Sequence, residues 1–147
     1  MLFDSYIQAI QNSVNSNLFR NIFAKVNGKK KDILENGDLS CAFFASSILY
    51  IFKLIPDVHA TVRGAVADLG KAGWVNIKNP KIGSILVWET ENNQPHKHIG
   101  FYVSKDKAVS NNSKKGKPTL HHWTFGIKNG QPVRKIEQIL WHPKLSR

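Results

Sequence analysis

The chain holds one cysteine, Cys41, and six histidines, so any nucleophilic chemistry through sulfur rests on a single residue. Asp38-Leu-Ser-Cys41 places a capping side chain, Asp38 or Ser40, directly ahead of a thiol at the start of an apolar run. A helix N-terminus offers unpaired N–H groups and positive potential, which stabilise a thiolate and, in acyl transfer, a developing oxyanion. A lone cysteine is more often a small buried hydrophobe; the cap followed at once by the thiol sets Cys41 apart from that background.

A thiol nucleophile needs a base. His96 and His98 precede one strand-like run and His121-His122 open another, whereas His59 and His142 stand alone. His98 begins His-Ile-Gly-Phe-Tyr-Val, in which Ile99, Phe101 and Val103 share one face of a strand and His98, Gly100 and Tyr102 the other. Gly100 leaves room beside the imidazole for a neighbouring backbone or a substrate. A base is oriented through its second ring nitrogen. The next run, from Lys107, follows a tight turn, so antiparallel pairing brings Ser110 to Asn112 near His98. Ser110 and Asn112 share a face, and Asn111 points away unless a bulge intervenes. The expected site is therefore Cys41 as nucleophile and His98 as base, with Ser110 or Asn112 orienting the base.

These side chains need elements to hold them. Ile7, Ile10, Val14, Leu18, Ile22 and Val26 recur at spacings of three and four, which predicts a helix over 2–26, ended by Asn27-Gly28 and followed by a basic turn at Lys29-Lys30-Lys31. A second helix, over 40–52, is apolar nearly all round and should be the central buried one. A third, over 60–71, is closed by Ala72-Gly73. From Pro80 the pattern changes to short runs rich in Val, Ile, Phe and Trp at 82–89, 99–103, 107–110, 120–125 and 136–141, separated by turn residues. This predicts an α+β fold, with N-terminal helices packed on a C-terminal antiparallel meander of about five strands. No linker, repeat or low-complexity tract divides the chain, so one domain over 1–147 is expected.

A chain of 147 residues, 41% hydrophobic and 21% charged, is long enough to bury a real core. The formal charge of +11 predicts attraction to a polyanion such as nucleic acid, an anionic membrane surface or an acidic cell-wall polymer. No apolar stretch is long enough to span a bilayer. The N-terminus lacks the basic and apolar regions of a signal peptide, which makes the cytoplasm the default expectation and non-classical export the alternative. No cofactor motif stands out: Gly28-Lys29 lacks the rest of a P-loop, and His121-His122 point to opposite sides of a strand with no further ligands to complete a metal site. Trp74, Trp88, Trp123 and Trp141 are expected to pack the core and strands, and His142 to lie at the surface.

The order of a cysteine on a helix, a histidine on a strand and a polar residue on the next strand resembles the NlpC/P60 and CHAP group of papain-like peptidases and amidases. Four stretches carry the resemblance: Asp38-Leu-Ser-Cys41-Ala-Phe-Phe-Ala-Ser; Leu69-Gly-Lys-Ala-Gly-Trp74 together with Pro80-Lys-Ile-Gly-Ser-Ile-Leu-Val-Trp88; His98-Ile-Gly-Phe-Tyr-Val103; and Ala108-Val-Ser-Asn. They cover about half of the chain. The sequence departs from the family pattern in having Ser40-Cys41-Ala42 at the nucleophile, Ser84 in place of the Asp of Gly-Asp, and Ser110 where the third residue is usually His, Asn, Gln or Glu. Asn112 doing that work, or a dyad, are the alternatives there. The resemblance implies a papain-like fold, thiol acyl-transfer chemistry on a peptide or amide bond, no cofactor, and a peptidoglycan stem peptide as substrate. The competing reading is a basic binding module for nucleic acid, on the same fold with a degenerate site, supported by the charge and by the lysine-rich loops at 29–31, 105–107 and 114–117.

Overall fold

Serine and asparagine decide where the first helix stops. A computed structural model describes residues 1–147 and ends helix α1 (Leu2–Asn12) where the Ser13 hydroxyl donates to the Ile10 carbonyl at 2.6 Å and Asn15 turns to a φ of 65°. Such side chains compete with the helical backbone for its hydrogen bonds. The expected helix over 2–26 is thus corrected. Its second half contains strand β1 (Phe23–Val26), which pairs antiparallel with β2 (Lys29–Asp32). Asn27 and Gly28, at φ 49° and 78°, are the two central residues of the hairpin turn, whose backbone demands two positive φ values. The Asn-Gly signal therefore outweighs the apparent helical spacing of Leu18, Ile22 and Val26. The Asp32 carboxylate closes the hairpin base, accepting from the backbone N–H groups of Ile22, Leu34 and Asn36 and from the Asn21 amide.

Helix α2 (Cys41–Ile51) and helix α3 (Val62–Lys71) lie close to their expected positions. The Thr61 hydroxyl caps α3, accepting from the Gly64 N–H at 3.1 Å. Then follow β3 (Val75–Asn76), β4 (Ile85–Trp88), β5 (His98–Ser104), β6 (Lys107–Asn112), β7 (Lys117–His122), β8 (Ile127–Lys128), β9 (Gln131–Pro132) and β10 (Ile136–Trp141). The fold is α+β. Its main sheet has the order β3-β10-β4-β5-β6-β7 with antiparallel pairing throughout, and β8 and β9 form a separate small hairpin. Strands β4 to β7 are the expected meander, but β10 does not extend it. It returns to pair with β4, whose four residues are all buried, and places the buried Leu140 and Trp141 inside the sheet. The half-exposed β7 is left at the edge.

Alternation along the strands separates two apolar layers. Ile85, Val87, Ile99, Phe101, Val103 and Val109 face the helices and join Tyr6, Ile10, Phe44, Ile48 and Leu69 in one continuous core. Tyr6 and Phe44 meet Phe101 edge-on, at 5.9 and 5.5 Å between centroids, and the Tyr6 hydroxyl reaches the Gly83 carbonyl at 3.0 Å. On the opposite face Leu86, Trp88 and Ala108 form a smaller cluster with Trp123 and Tyr102. Trp74, Trp88 and Trp141 are buried. His142 is buried as well, a correction to its expected surface position, since its Nε2 bonds the Ala72 carbonyl at 3.0 Å and its Nδ1 accepts from the Lys144 N–H. No helix is long and apolar enough to cross a membrane.

Gly100 lies directly opposite Ser110 in the β5–β6 pair. A Cβ on Gly100 would stand 2.6 Å from both the Ser110 Cβ and the Val109 carbonyl oxygen. The space that Gly100 leaves is filled by Ser110. Gly100→Ala is expected to lower stability by about 2 kcal/mol through overpacking, read as a fall in the urea midpoint; an unchanged midpoint would mean that the two strands do not approach this closely.

Candidate active site

Cys41 is the first residue of α2, behind Ser40 at the N-cap position. Neither Asp38 nor Ser40 supplies a capping hydrogen bond, and the buried Ser40 hydroxyl has no partner at all. The first-turn N–H groups therefore stay free of side-chain caps. Cys41 is half-buried, and the N–H groups of Ile99 and Ala42 are turned toward its sulfur. Desolvation nevertheless pushes the thiol pKa up; the two N–H groups and the Arg134 guanidinium pull it down without reversing the shift. The thiolate expected from the helix terminus alone is thus outweighed by burial, and the resting group is the neutral thiol.

His98, the expected base, sits at the start of β5, next to the residue whose N–H faces Cys41. Three hydrogen bonds run outward from it: His98 Nε2 to Ser110 Oγ at 2.8 Å, Ser110 Oγ to His121 Nε2 at 2.7 Å, and His121 Nδ1 to the His122 carbonyl at 2.7 Å. The end of this chain determines every proton in it. A carbonyl only accepts, so His121 carries its proton on Nδ1. Neutral His121 then has a lone pair on Nε2, which takes the single Ser110 hydroxyl proton. Ser110 Oγ is left to accept, so His98 is protonated on Nε2 and holds its lone pair on Nδ1, the atom that takes no part in the chain. His98 and Cys41 are not hydrogen-bonded to each other; their link is the adjacent Ile99 N–H.

Ser110 is 1% exposed, and aromatic rings pack around the two imidazoles it joins. Trp88 lies 5.3 Å from His98 and 5.8 Å from His121, while Phe125 stacks on His121 at 4.2 Å and 14°. Trp88 is itself held by its Nε1–H, which donates to the Trp123 carbonyl at 2.8 Å. Desolvation, then the charges of Arg134 and His121, pull the His98 pKa down to about 3. His121 is likewise lowered, mainly by burial. Both imidazoles are neutral near pH 7, the state the proton assignment requires.

Of the sequence-derived residues, the structure brings His98 and Ser110 into contact and sets Cys41 against the neighbouring residue of β5. Asn112 is not in this chain: its Oδ1 accepts the Lys115 N–H at 3.0 Å and closes the β6–β7 turn. Asn111 faces the helices, where its amide donates to the Gly37 carbonyl at 2.8 Å. Two residues of this cluster escaped sequence reasoning. His121 was within reach of it, because carrying the antiparallel register one strand further puts Ala108 opposite His121 and Ser110 opposite Thr119, on adjoining positions of one face. Arg134 had no local signal; it arrives from the segment before β10, with Nε bonded to the Glu89 carbonyl at 2.9 Å. No group of three metal-ligating side chains converges here or elsewhere in the chain. Compared with models of known protein families and with curated proteins, the chain finds no match.

Two measurements follow from the protonation states. Nitrogen-detected imidazole spectra should show His98 as the Nε2–H tautomer and His121 as the Nδ1–H tautomer at pH 7. Stability should also fall in acid. Unfolded imidazole titrates near 6.5, whereas His98 protonates only at about 3 in the fold. Between those values the unfolded chain binds more protons, so the His98 contribution is complete above 6.5 and lost as pH falls toward 3, by a few kcal/mol in all. His98→Gln should flatten that part of the urea-midpoint profile relative to the parent; parallel profiles would contradict the depressed pKa.

Proposed function

We propose that the protein is a cysteine hydrolase of peptide or amide bonds with a papain-like arrangement of its site. The observation that carries this reading is a tautomer-locked imidazole with a free Nδ1 lone pair at the start of β5, one residue before the Ile99 N–H that is turned toward a thiol at a helix N-terminus without a side-chain cap. Both partners start neutral, so proton transfer accompanies attack instead of preceding it. His98 Nδ1 takes the thiol proton as sulfur bonds to the substrate carbonyl carbon. The free N–H groups at the start of α2 meet the developing oxyanion. Collapse breaks the C–N bond, and the leaving amine takes the proton from His98. Water then attacks the thioester, gives a proton to His98 Nδ1, and releases the acid and the thiol. Ser110 and His121 hold the His98 ring throughout and spread the imidazolium charge through Ser110. No cofactor is needed. The resemblance to the NlpC/P60 and CHAP group favours a peptidoglycan stem peptide as substrate, and the charge of +11 suits an anionic wall.

A second reading rests on the β1–β2 hairpin. Lys25 stands opposite Lys30 and Lys31 opposite Ala24, with Lys29 at the turn, and none of these four lysines is in an ion pair with a carboxylate. Like charges paired across a ribbon repel, which favours a bound polyanion. A nucleic-acid-binding module would show steeply salt-dependent binding that Lys30→Gln weakens and Cys41→Ala leaves intact.

The hydrolase reading is tested by incubating the protein with stem peptides and a set of peptide amides and following products by mass spectrometry. Cys41→Ala should abolish cleavage. His98→Gln should lower the rate at least a hundredfold, as expected for loss of a general base. Ser110→Ala should lower kcat roughly tenfold, the worth of one orienting hydrogen bond. Absence of cleavage together with absence of any acyl adduct on Cys41 would sink the proposal.

A further inference from the structure

Arg134 is a cation short of a counter-charge. Its side chain is only 9% exposed, yet it forms no close ion pair. Nε donates to the Glu89 carbonyl at 2.9 Å, just past the end of β4, and Nη2 reaches the His96 carbonyl at 3.4 Å, just before β5. These bonds hold the guanidinium at the mouth of the β4–β5 pair, where His98 begins β5. Its charge acts on both Cys41 and His98. The guanidinium also lies 5.8 Å from the Phe125 ring that borders His98. Nη1 has only the Glu91 carboxylate, 3.9 Å away, beyond hydrogen-bond length and 49% exposed. The Glu89 carboxylate is no substitute, because it is directed to Lys135.

A desolvated guanidinium costs free energy unless a charge and hydrogen bonds offset it. Tethering the 89–96 loop uses the Nε–H and one Nη2–H and leaves the second Nη2–H and both Nη1–H bonds without a close partner. A guanidinium presents parallel N–H bonds that match the two oxygens of a carboxylate. We infer that Arg134 is a specificity residue that takes a carboxylate of the substrate close to the scissile bond, and that Glu91 loosely occupies its place in the free protein. This rests on the hydrolase reading and names its substrate class as acidic peptides or amides. Glu91 then works as a weak internal competitor, displaced when the substrate carboxylate binds.

Iodoacetate and iodoacetamide test this directly, since both alkylate a thiol and differ only in carrying a carboxylate or a neutral amide. The readout is the ratio of their rates at Cys41, followed by mass spectrometry at fixed pH and ionic strength. Any effect of Arg134 on thiol ionisation acts on both reagents and cancels in the ratio. Arg134→Gln should lower the iodoacetate-to-iodoacetamide ratio at least fivefold. Glu91→Gln, which keeps both tethering bonds of Arg134, should raise it. Lys71→Gln, the same charge change on the last turn of α3, should leave it unchanged. If Arg134→Gln does not fold, Arg134→Lys and Glu91→Gln carry the same test, the lysine variant retaining charge and losing the paired N–H geometry. A ratio indifferent to Arg134 and Glu91 while Cys41 still reacts, or one that Lys71→Gln shifts as much, would overturn the subsite and leave the hydrolase reading standing. A Cys41 inert to both reagents would remove the hydrolase reading and this inference with it.

Discussion

The site depends on the one proton of the Ser110 hydroxyl. A hydroxyl between two imidazoles can donate to only one of them, and the His122 carbonyl at the far end dictates which. The direction then passes without ambiguity through Ser110 to His98. A carboxylate or amide in that position would act on His98 alone; a hydroxyl needs a further acceptor, and His121 supplies it. Much of the sheet serves this geometry. Gly100 lets β6 approach closely enough for Ser110 to reach across, β7 brings His121 to the same face, and Trp88 and Phe125 pack against the imidazoles.

Desolvation dominates the electrostatics of the site. A helix terminus contributes on the order of 0.3 to 1 kcal/mol to a nearby charge, whereas burial shifts a pKa by several units when no strong partner opposes it. Cys41 and His98 follow the larger effect: the thiol is raised, the imidazole lowered, and each stays neutral. A site of this kind holds no ready-made ion pair, so under the proposed function charge would have to be created during the reaction. The free N–H groups of α2 and the Arg134 guanidinium are the positive elements present where negative charge would develop. Arg134 is also part of why His98 resists protonation, so one cation tunes both members of the pair in the same direction.

Surface charge and the site are physically separate matters. The lysines of the β1–β2 hairpin are exposed and unneutralised, while Asp32 at its base spends its carboxylate on backbone N–H groups and an amide. The hairpin adds nothing to the core. Its cross-strand repulsion is tolerated because water and salt screen exposed charges.

Local patterns in the sequence were enough to place Cys41 at the start of a buried helix, His98 at the start of a strand and Ser110 on the next strand near His98. Each follows from a cap, a period of two or a tight turn, features that act within a few residues. Local reasoning failed where two local signals competed, as in the segment 13–32, where apolar spacing suggested a helix and Asn-Gly made a hairpin. It also fell short wherever the deciding contact joins residues far apart in the chain. The return of β10 to β4 was settled by which strand most needed burial on both edges. The role of His121 depended on a third strand in register, and that of Arg134 on a loop docking beside the site. The state of the cysteine was tertiary too: its place on a helix argued for a thiolate, but only the packing of β5 and the surrounding core determined how little water reaches the sulfur.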